Sequence, residues 1–174
     1  MEQQHPDEWG GLPSVSSPAA VIADHVDDLV QVRADDLPRW LTGLGVPAGW
    51  RLAALDGQGF RPSRTAVRVP SSDGGAYDCD TVSLYRFTGV PATEIVVSQA
   101  DCALRDVHAE NILTWVLVTP SIPGVAAVCA SGYLSTGGLP VWAQYCTYVA
   151  GSSSPGRGCS SSTACSSIHD ASQR

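Results

Sequence analysis

Val125-Ala-Ala-Val-Cys-Ala-Ser-Gly-Tyr-Leu-Ser-Thr136 and Leu139-Pro-Val-Trp-Ala-Gln-Tyr-Cys-Thr-Tyr-Val-Ala150, joined by Gly137-Gly138, make up the stretch that decides the fold. Two alternating runs flank a dipeptide suited to a tight type I′ turn, because both central positions of that turn need positive φ. A hairpin closing there places Tyr133 opposite Trp142, Leu134 opposite Val141, Ala130 opposite Tyr145, Val128 opposite Thr147 and Cys129 opposite Cys146. Pro140 fits the same register. Thr136 and Leu139 take the hydrogen-bonded position beside the turn, so position 140 needs no cross-strand N–H. Cys129 and Cys146 form another non-hydrogen-bonded pair, with Cα atoms roughly 4.5 Å apart, the short end of disulfide reach. A somewhat strained bridge is expected between them.

Working outward, the period of two extends towards the N-terminus. Segments near Trp50 to Leu55, Thr65 to Val69, Thr81 to Phe87 and Glu94 to Gln99 read as strands between Pro and Gly punctuation. A helix with Asp101 as N-cap is expected through Leu104, Val107, His108, Asn111 and Trp115, although Trp115 to Thr119 also reads as a strand stopped by Pro120. Near the start, Ser17-Pro18 fits an N-cap followed by proline at the first helical position. Ile22, Val26, Leu29, Val30 and Arg33 then recur at helical spacing, and a short turn over Asp36 to Leu44 ends at Gly43 and Gly45. These elements predict one α+β domain over residues 17–150, an antiparallel sheet with one or two packed helices and a C-terminal hairpin at 125–150. Residues 1–16 read as a disordered leader. Residues 151–174 hold nine Ser and only Ile168 as a large aliphatic, so they read as a flexible tail that buries too little to offset its ordering entropy.

Composition removes several functions. All ten basic residues are Arg, which excludes phosphate-loop lysines, Schiff-base chemistry and Ser-Lys hydrolysis. The formal charge is -7, and eight acids against Arg33 alone fall in the first 36 residues, a balance that repels phosphate backbones and makes nucleic acid an unsuitable partner. The longest apolar stretches, around Ile95 to Val97 and Val125 to Ala130, fall far short of the roughly 20 residues of a membrane span. The polar, acidic opening residues do not resemble a secretory signal, which points to the cytoplasm, whereas six cysteines point to an oxidising compartment. No G-x-S-x-G, H-E-x-x-H, C-x-x-C or G-x-G-x-x-G motif is present, so neither a catalytic set nor a cofactor is expected.

Four constellations remain. Tyr133, Trp142 and Tyr148 on the hairpin, with Trp115 and Trp50 close by, offer amphipathic rings for an apolar or peptide ligand or a protein partner; ordinary cross-strand packing is the plainer explanation. Cys146, Cys159, Cys165 and His169 match a loose Cys3His zinc spacing, and a zinc-binding or thiol-based protein is the alternative function. His25 with Asp24, Asp27 and Asp28 would share one helix face, which solvation explains without a metal. Cys102 with His108 and Asp106 or Glu110 contains a thiol and a base, but about 9 Å of helix axis separates the first two. Exposed at a helix start, Cys102 would be the most reactive thiol.

Val46-Pro-Ala-Gly-Trp-Arg51, Ala130-Ser-Gly-Tyr133 and Val141-Trp-Ala-Gln-Tyr145 resemble segments of the mycobacterial LpqN/LpqT lipoprotein family, of Mog1/PsbP-like fold, over residues 46–150. The absence of Lys and the abundance of Ala, Arg, Asp and Val likewise resemble the output of a GC-rich actinobacterial genome. The resemblance implies an α+β sandwich, a cell-envelope or secreted location, and a binding or scaffolding role without catalysis. The chain departs from the family in having no leader, no lipid-accepting N-terminal cysteine and a serine-rich end in place of a final strand. The resulting expectation is a small non-catalytic binding or scaffolding protein that contacts an apolar or peptide ligand.

Overall fold

The computed structural model describes residues 17–43, 45–53, 61–68, 78–117, 125–136, 138–151 and 158–166. They form an eight-stranded antiparallel sheet with short helices on both faces, the α+β class the sequence predicts. In chain order the elements are α1 (Pro18–Ala23), β1 (Asp27–Gln31), a 3-10 turn (Ala34–Asp36), α2 (Arg39–Thr42), β2 (Trp50–Leu52), β3 (Arg64–Arg68), β4 (Asp78–Thr88), α3 (Thr93–Ser98), α4 (Cys102–Asp106), β5 (Glu110–Val116), β6 (Val125–Thr136), β7 (Leu139–Gly151) and β8 (Gly158–Ser166). Their spatial order is β2-β3-β4-β8-β7-β6-β5, with β1 added beside β4.

The hairpin has the predicted register over its whole length, from Val125 opposite Ala150 to Thr136 opposite Leu139. Cys129 and Cys146 are joined by a disulfide, their Cα atoms 4.1 Å apart. Alternation then divides the side chains. Val128, Ala130, Ala143 and Val149 point to one face, where Ile22 of α1, Val96 of α3, and Ala100 and Leu104 around α4 close the larger core. Val82 and Leu84 of β4 point to the other face and meet Val32, Leu37 and Leu41.

β4 carries three neighbours. β8 runs along one edge, from Cys79 opposite Ser166 to Phe87 opposite Gly158. The other edge is shared end to end by β3, which pairs with Asp78 to Val82, and β1, which pairs with Tyr85 to Thr88. Ser63 fills the gap between them. Its hydroxyl donates to the Val32 carbonyl at 2.6 Å and accepts from the Leu84 N–H at 3.0 Å, while the Val32 N–H reaches the Leu84 carbonyl at 2.8 Å. The side chain is 2% exposed, so it satisfies these backbone groups inside the protein. At the far end of β3, Arg68 pairs with the buried Asp78 carboxylate and lies over the Trp50 ring, 5.9 Å from its centroid.

Four expectations are corrected. The serine-rich segment read as a flexible tail contains β8 at 158–166, inserted between β4 and β7, so the sheet extends past residue 150. β8 is paired with a strand on both sides over Gly158 to Cys165, which supplies a driving force that its composition does not reveal. Residues 152–157 and 167–174 of that segment, and the leader at 1–16, lie outside the described residues. The Glu94 to Gln99 run is helical, because α3 docks Val96 against the sheet, and that burial outweighs the preference of Ile and Val for strands. The helices at Ser17 and Asp101 are real but short. Ser17 caps α1, its hydroxyl accepting from Ala20 N at 3.2 Å, yet α1 ends at Ala23 and residues 27–31 are strand. α4 ends at Asp106, and Glu110–Val116 is strand β5. The Asp101 carboxylate binds Arg105 at 3.0 Å and makes no cap.

Both of the strands that read as helix contain the same irregularity. In β1, Asp27 faces Thr88 and Val30 faces Arg86, an extra residue, with Asp28 at φ 55°. In β5, Glu110 faces Tyr133 and Leu113 faces Ser131, again an extra residue, with Asn111 at φ 53°. Each is a β-bulge at a residue type that tolerates the left-handed region. The extra residue brings positions three apart to one face: Val26 with Leu29, and Ala109 with Ile112, all against the same core. Around β1 that spacing, Val26 with Leu29, imitates a helix.

Two stability outcomes follow from these contacts. Ser63→Ala strands the Val32 carbonyl and the Leu84 N–H in a buried site and should cost about 1–3 kcal/mol in urea denaturation. The disulfide closes a loop of sequence separation 17, so reduction should cost about 3 kcal/mol, read as a lower denaturation midpoint in reductant that a Cys129→Ala/Cys146→Ala double variant no longer shows.

Candidate functional site

Antiparallel pairing carries one row of positions across five strands on the face opposite the larger core. Val82 pairs with Thr163, Thr163 with Cys146, Cys146 with Cys129, and Cys129 with Trp115. The neighbouring row runs from Gln144 through Ser131 to Leu113, and the next holds Trp142 and Tyr133. Leu113, Trp115, Tyr133 and Trp142 therefore surround a floor made by Ser131, Gln144 and the disulfide. Leu113 is 66% exposed, Tyr133 47% and Trp115 38%, whereas Trp142 is half-buried and Cys129, Ser131 and Cys146 are buried. Gln144 donates to the Cys146 sulfur at 3.1 Å, which orients its amide on this floor.

Of the three ring residues expected to line a ligand surface, the fold brings Tyr133 and Trp142 directly opposite each other. Tyr148 lies six residues from Trp142 along β7, about 20 Å away and on the far side of the disulfide, facing Ala127. Trp50 is on β2, at the opposite edge of the sheet, and is engaged with Arg68. Leu113 went unrecognised by sequence reasoning because β5 was taken for helix; read as a strand, its alternation with Trp115 would have placed both on one face.

The other constellations do not assemble. The Cys146 sulfur is committed to Cys129, and Cys159 and Cys165 stand on β8 opposite Ala150 and Gln144, about 20 Å of strand apart. His169, the fourth member of that zinc set, lies outside the described residues. Among the described residues no group of three or more His, Cys, Asp or Glu is placed to hold a metal. Asp24 and His25 follow the end of α1 while Asp27 and Asp28 begin β1, so they share no helix face; Asp28 accepts a long hydrogen bond from the Thr88 hydroxyl, 3.5 Å. Cys102, His108 and Glu110 are divided among a helix, a connection and a strand.

Cys102 is also no exposed nucleophile. It is 5% exposed, and burial raises its thiol pKa above the ordinary 9.0; Asp106 and Asp101 add to the rise, while the Ala103 N–H and Arg105 oppose it. Cys79 is shifted the same way, by burial and then by Asp80. Burial likewise raises Tyr85 and Tyr145. Desolvation disfavours the charged form in all four, so each stays neutral at physiological pH.

The chain is similar to LpqN, whose solved crystal structure is described as that of a protein involved in cell envelope biogenesis of Mycobacterium tuberculosis. The two share 18% identity over 90% of this chain and 87% of that one, with a TM-score of 0.54. That likeness establishes a common fold. No protein-family profile and no curated protein sequence matches the chain. Among the described residues, no helix is long and apolar enough to cross a membrane.

Cys102 should react with a thiol reagent at pH 7.5 at least tenfold more slowly than in urea-unfolded chain, and rapid labelling of the native protein would contradict its burial. Above about pH 9 the unfolded chain begins to release protons that Cys79, Cys102, Tyr85 and Tyr145 retain when folded. The stability these four groups contribute should therefore be fully present at neutral pH and decline as pH rises through about 9 and above, measured as the denaturation midpoint from pH 7 upward.

Proposed function

We propose that this LpqN-like chain is a small non-catalytic binding protein associated with the cell envelope, and that it holds an apolar ligand, foremost an extended peptide, along β5 and over the aromatic patch. One observation carries the reading: Leu113, Trp115 and Tyr133 stand exposed together beside the last strand of the described sheet. An edge strand presents unpaired N–H and C=O groups to any further strand, and proteins usually blunt such edges with charge or proline. β5, Glu-Asn-Ile-Leu-Thr-Trp-Val, has one charge, at its first residue, and no proline. A peptide added there would gain affinity from main-chain hydrogen bonds and selectivity from alternate side chains meeting Leu113 and Trp115. Tyr133 and Trp142 would extend that contact inward, each ring pairing an apolar body with a polar tip.

Two features support the envelope. LpqN, which shares the fold, is described as acting in cell envelope biogenesis. The Cys129–Cys146 bridge lies within the sheet, and such bridges form and persist in oxidising compartments outside the cytoplasm. The acidic balance of the chain, -7 overall, is consistent with a partner that is not nucleic acid.

Selection from a displayed library of nine-residue peptides should return alternating apolar sequences. Their binding should fall at least tenfold, about 1.4 kcal/mol, in Trp115→Ser, and amide exchange should slow across residues 110–116 in the complex. A library yielding no Trp115-dependent peptide, or binders that leave exchange in β5 unchanged, would refute the proposal.

A further inference from the structure

On the other half of the molecule, the chain leaving β1 and the chain entering β3 diverge above Ser63. Between them lies an open cleft of about 520 Å³, walled by Gln31 to Asp35 on one side and Arg61 to Thr65 on the other. Its walls are tied together. The Gln31 amide donates to the Arg61 carbonyl at 2.7 Å, Ser63 bridges to Val32 and Leu84, and the Ala53 N–H donates to the Thr65 carbonyl at 3.0 Å. A second hollow of about 290 Å³ lies beside it, sharing Ala34, Ala53, Ser63, Arg64 and Thr65 as common walls, and its lining includes Leu37, Leu41 and Leu52. Leu52 stands at that hollow 64% exposed.

Three of the ten arginines of the chain, Arg33, Arg61 and Arg64, line the first cleft, against one acid, Asp35. The overall charge of -7 would repel an anion at long range. Within a Debye length of about 10 Å, however, guanidiniums that touch a bound anion act on it directly and are screened least. Arg64 donates to the Gly45 carbonyl at 3.3 Å, and a guanidinium with five N–H donors keeps capacity for a second acceptor. Guanidinium forks match carboxylate and phosphate oxygens. The leucine-lined hollow holds about ten water-sized groups at ~30 Å³ each, enough for an alkyl chain of about eight to ten carbons.

We propose that this cleft binds an anionic amphiphile, with a phosphate or carboxylate headgroup among Arg33, Arg61 and Arg64 and an alkyl or acyl chain along Leu37, Leu41 and Leu52. The site is separate from the aromatic patch on β5 to β7 and does not depend on peptide binding there. Its walls are fixed by hydrogen bonds before any ligand arrives, which lowers the ordering cost of binding.

Calorimetric titration of the full chain with decyl phosphate, decyl maltoside and inorganic phosphate tests the assignment. Decyl phosphate should bind once per chain and weaken at least tenfold between 50 and 500 mM NaCl, by the screening argument above. Decyl maltoside and inorganic phosphate should each bind at least tenfold more weakly than decyl phosphate. Arg33→Gln, at an exposed position, should weaken decyl phosphate severalfold, and Arg33→Gln/Arg64→Gln at least tenfold. Leu52→Ser should reduce the advantage of decyl over butyl phosphate. Trp115→Ser should bind decyl phosphate like the unmodified chain, so failure of the peptide proposal and failure of this one are told apart. Equal affinity for decyl maltoside, or binding indifferent to salt and to Arg33→Gln, would overturn the anionic half. Inorganic phosphate binding as tightly as decyl phosphate would overturn the amphiphile. If the double variant unfolds, Arg33→Gln and the salt dependence of the unmodified chain decide.

Discussion

Pairing between β6 and β7, locked by the Cys129–Cys146 bridge, fixes which side chains of the sheet face the helices and which face the aromatic patch. A one-residue slip would exchange the two faces. It would send Cys129, Ser131 and Trp142 into the core against α3 and α4, and turn Val128, Ala130 and Ala143 out of it. The bridge sits well away from the turn, where it holds the register independently of the two glycines. It also forms the floor between Trp115 and the Gln144 side chain, so the same covalent bond serves stability and surface shape.

β4 is the second fixed point. It is buried along most of its length and is bordered by β8 on one side and by β3 and β1 on the other. Two strands meeting end to end along one edge leave a break in the ladder, and Ser63 mends it with a single hydroxyl. The same divergence of β1 and β3 opens the arginine-lined cleft. The aromatic patch and the cleft therefore lie on different halves of the sheet and are opposed in character. One is apolar and beside an edge strand; the other is cationic, with an apolar extension, in a chain that is acidic overall.

The elements that sequence reasoning misassigned have physical explanations. A bulge at Asp28 puts Val26 and Leu29 on one face, so the pair imitates helical periodicity beside and within a strand, and a second bulge, at Asn111, breaks the alternation of β5 where the helical reading runs through it. Ile95, Val96 and Val97 favour strands locally but are helical because Val96 and Val97 pack against the sheet. β8 has almost no apolar signature; its place comes from backbone pairing with β4 and β7, and a run of serines and small residues does not announce a partner. Tyr148 carried the right residue type on the right hairpin, yet strand rise places it beyond the disulfide from Trp142.

The sequence by itself determined the hairpin, its register, the cysteine pair, the Tyr133–Trp142 pair and the capped start of α1. Each depends on local chemistry: two glycines that accept positive φ, strict alternation about a fixed turn, and a hydroxyl followed by proline. Only the tertiary structure decided where β1, β5 and β8 run, that Leu113 joins Trp115 and Tyr133, and that Arg33, Arg61 and Arg64 converge from opposite walls of one cleft. Those placements come from pairing between segments far apart in the chain, and the partners' edges and core faces, which no local window contains, set their energies.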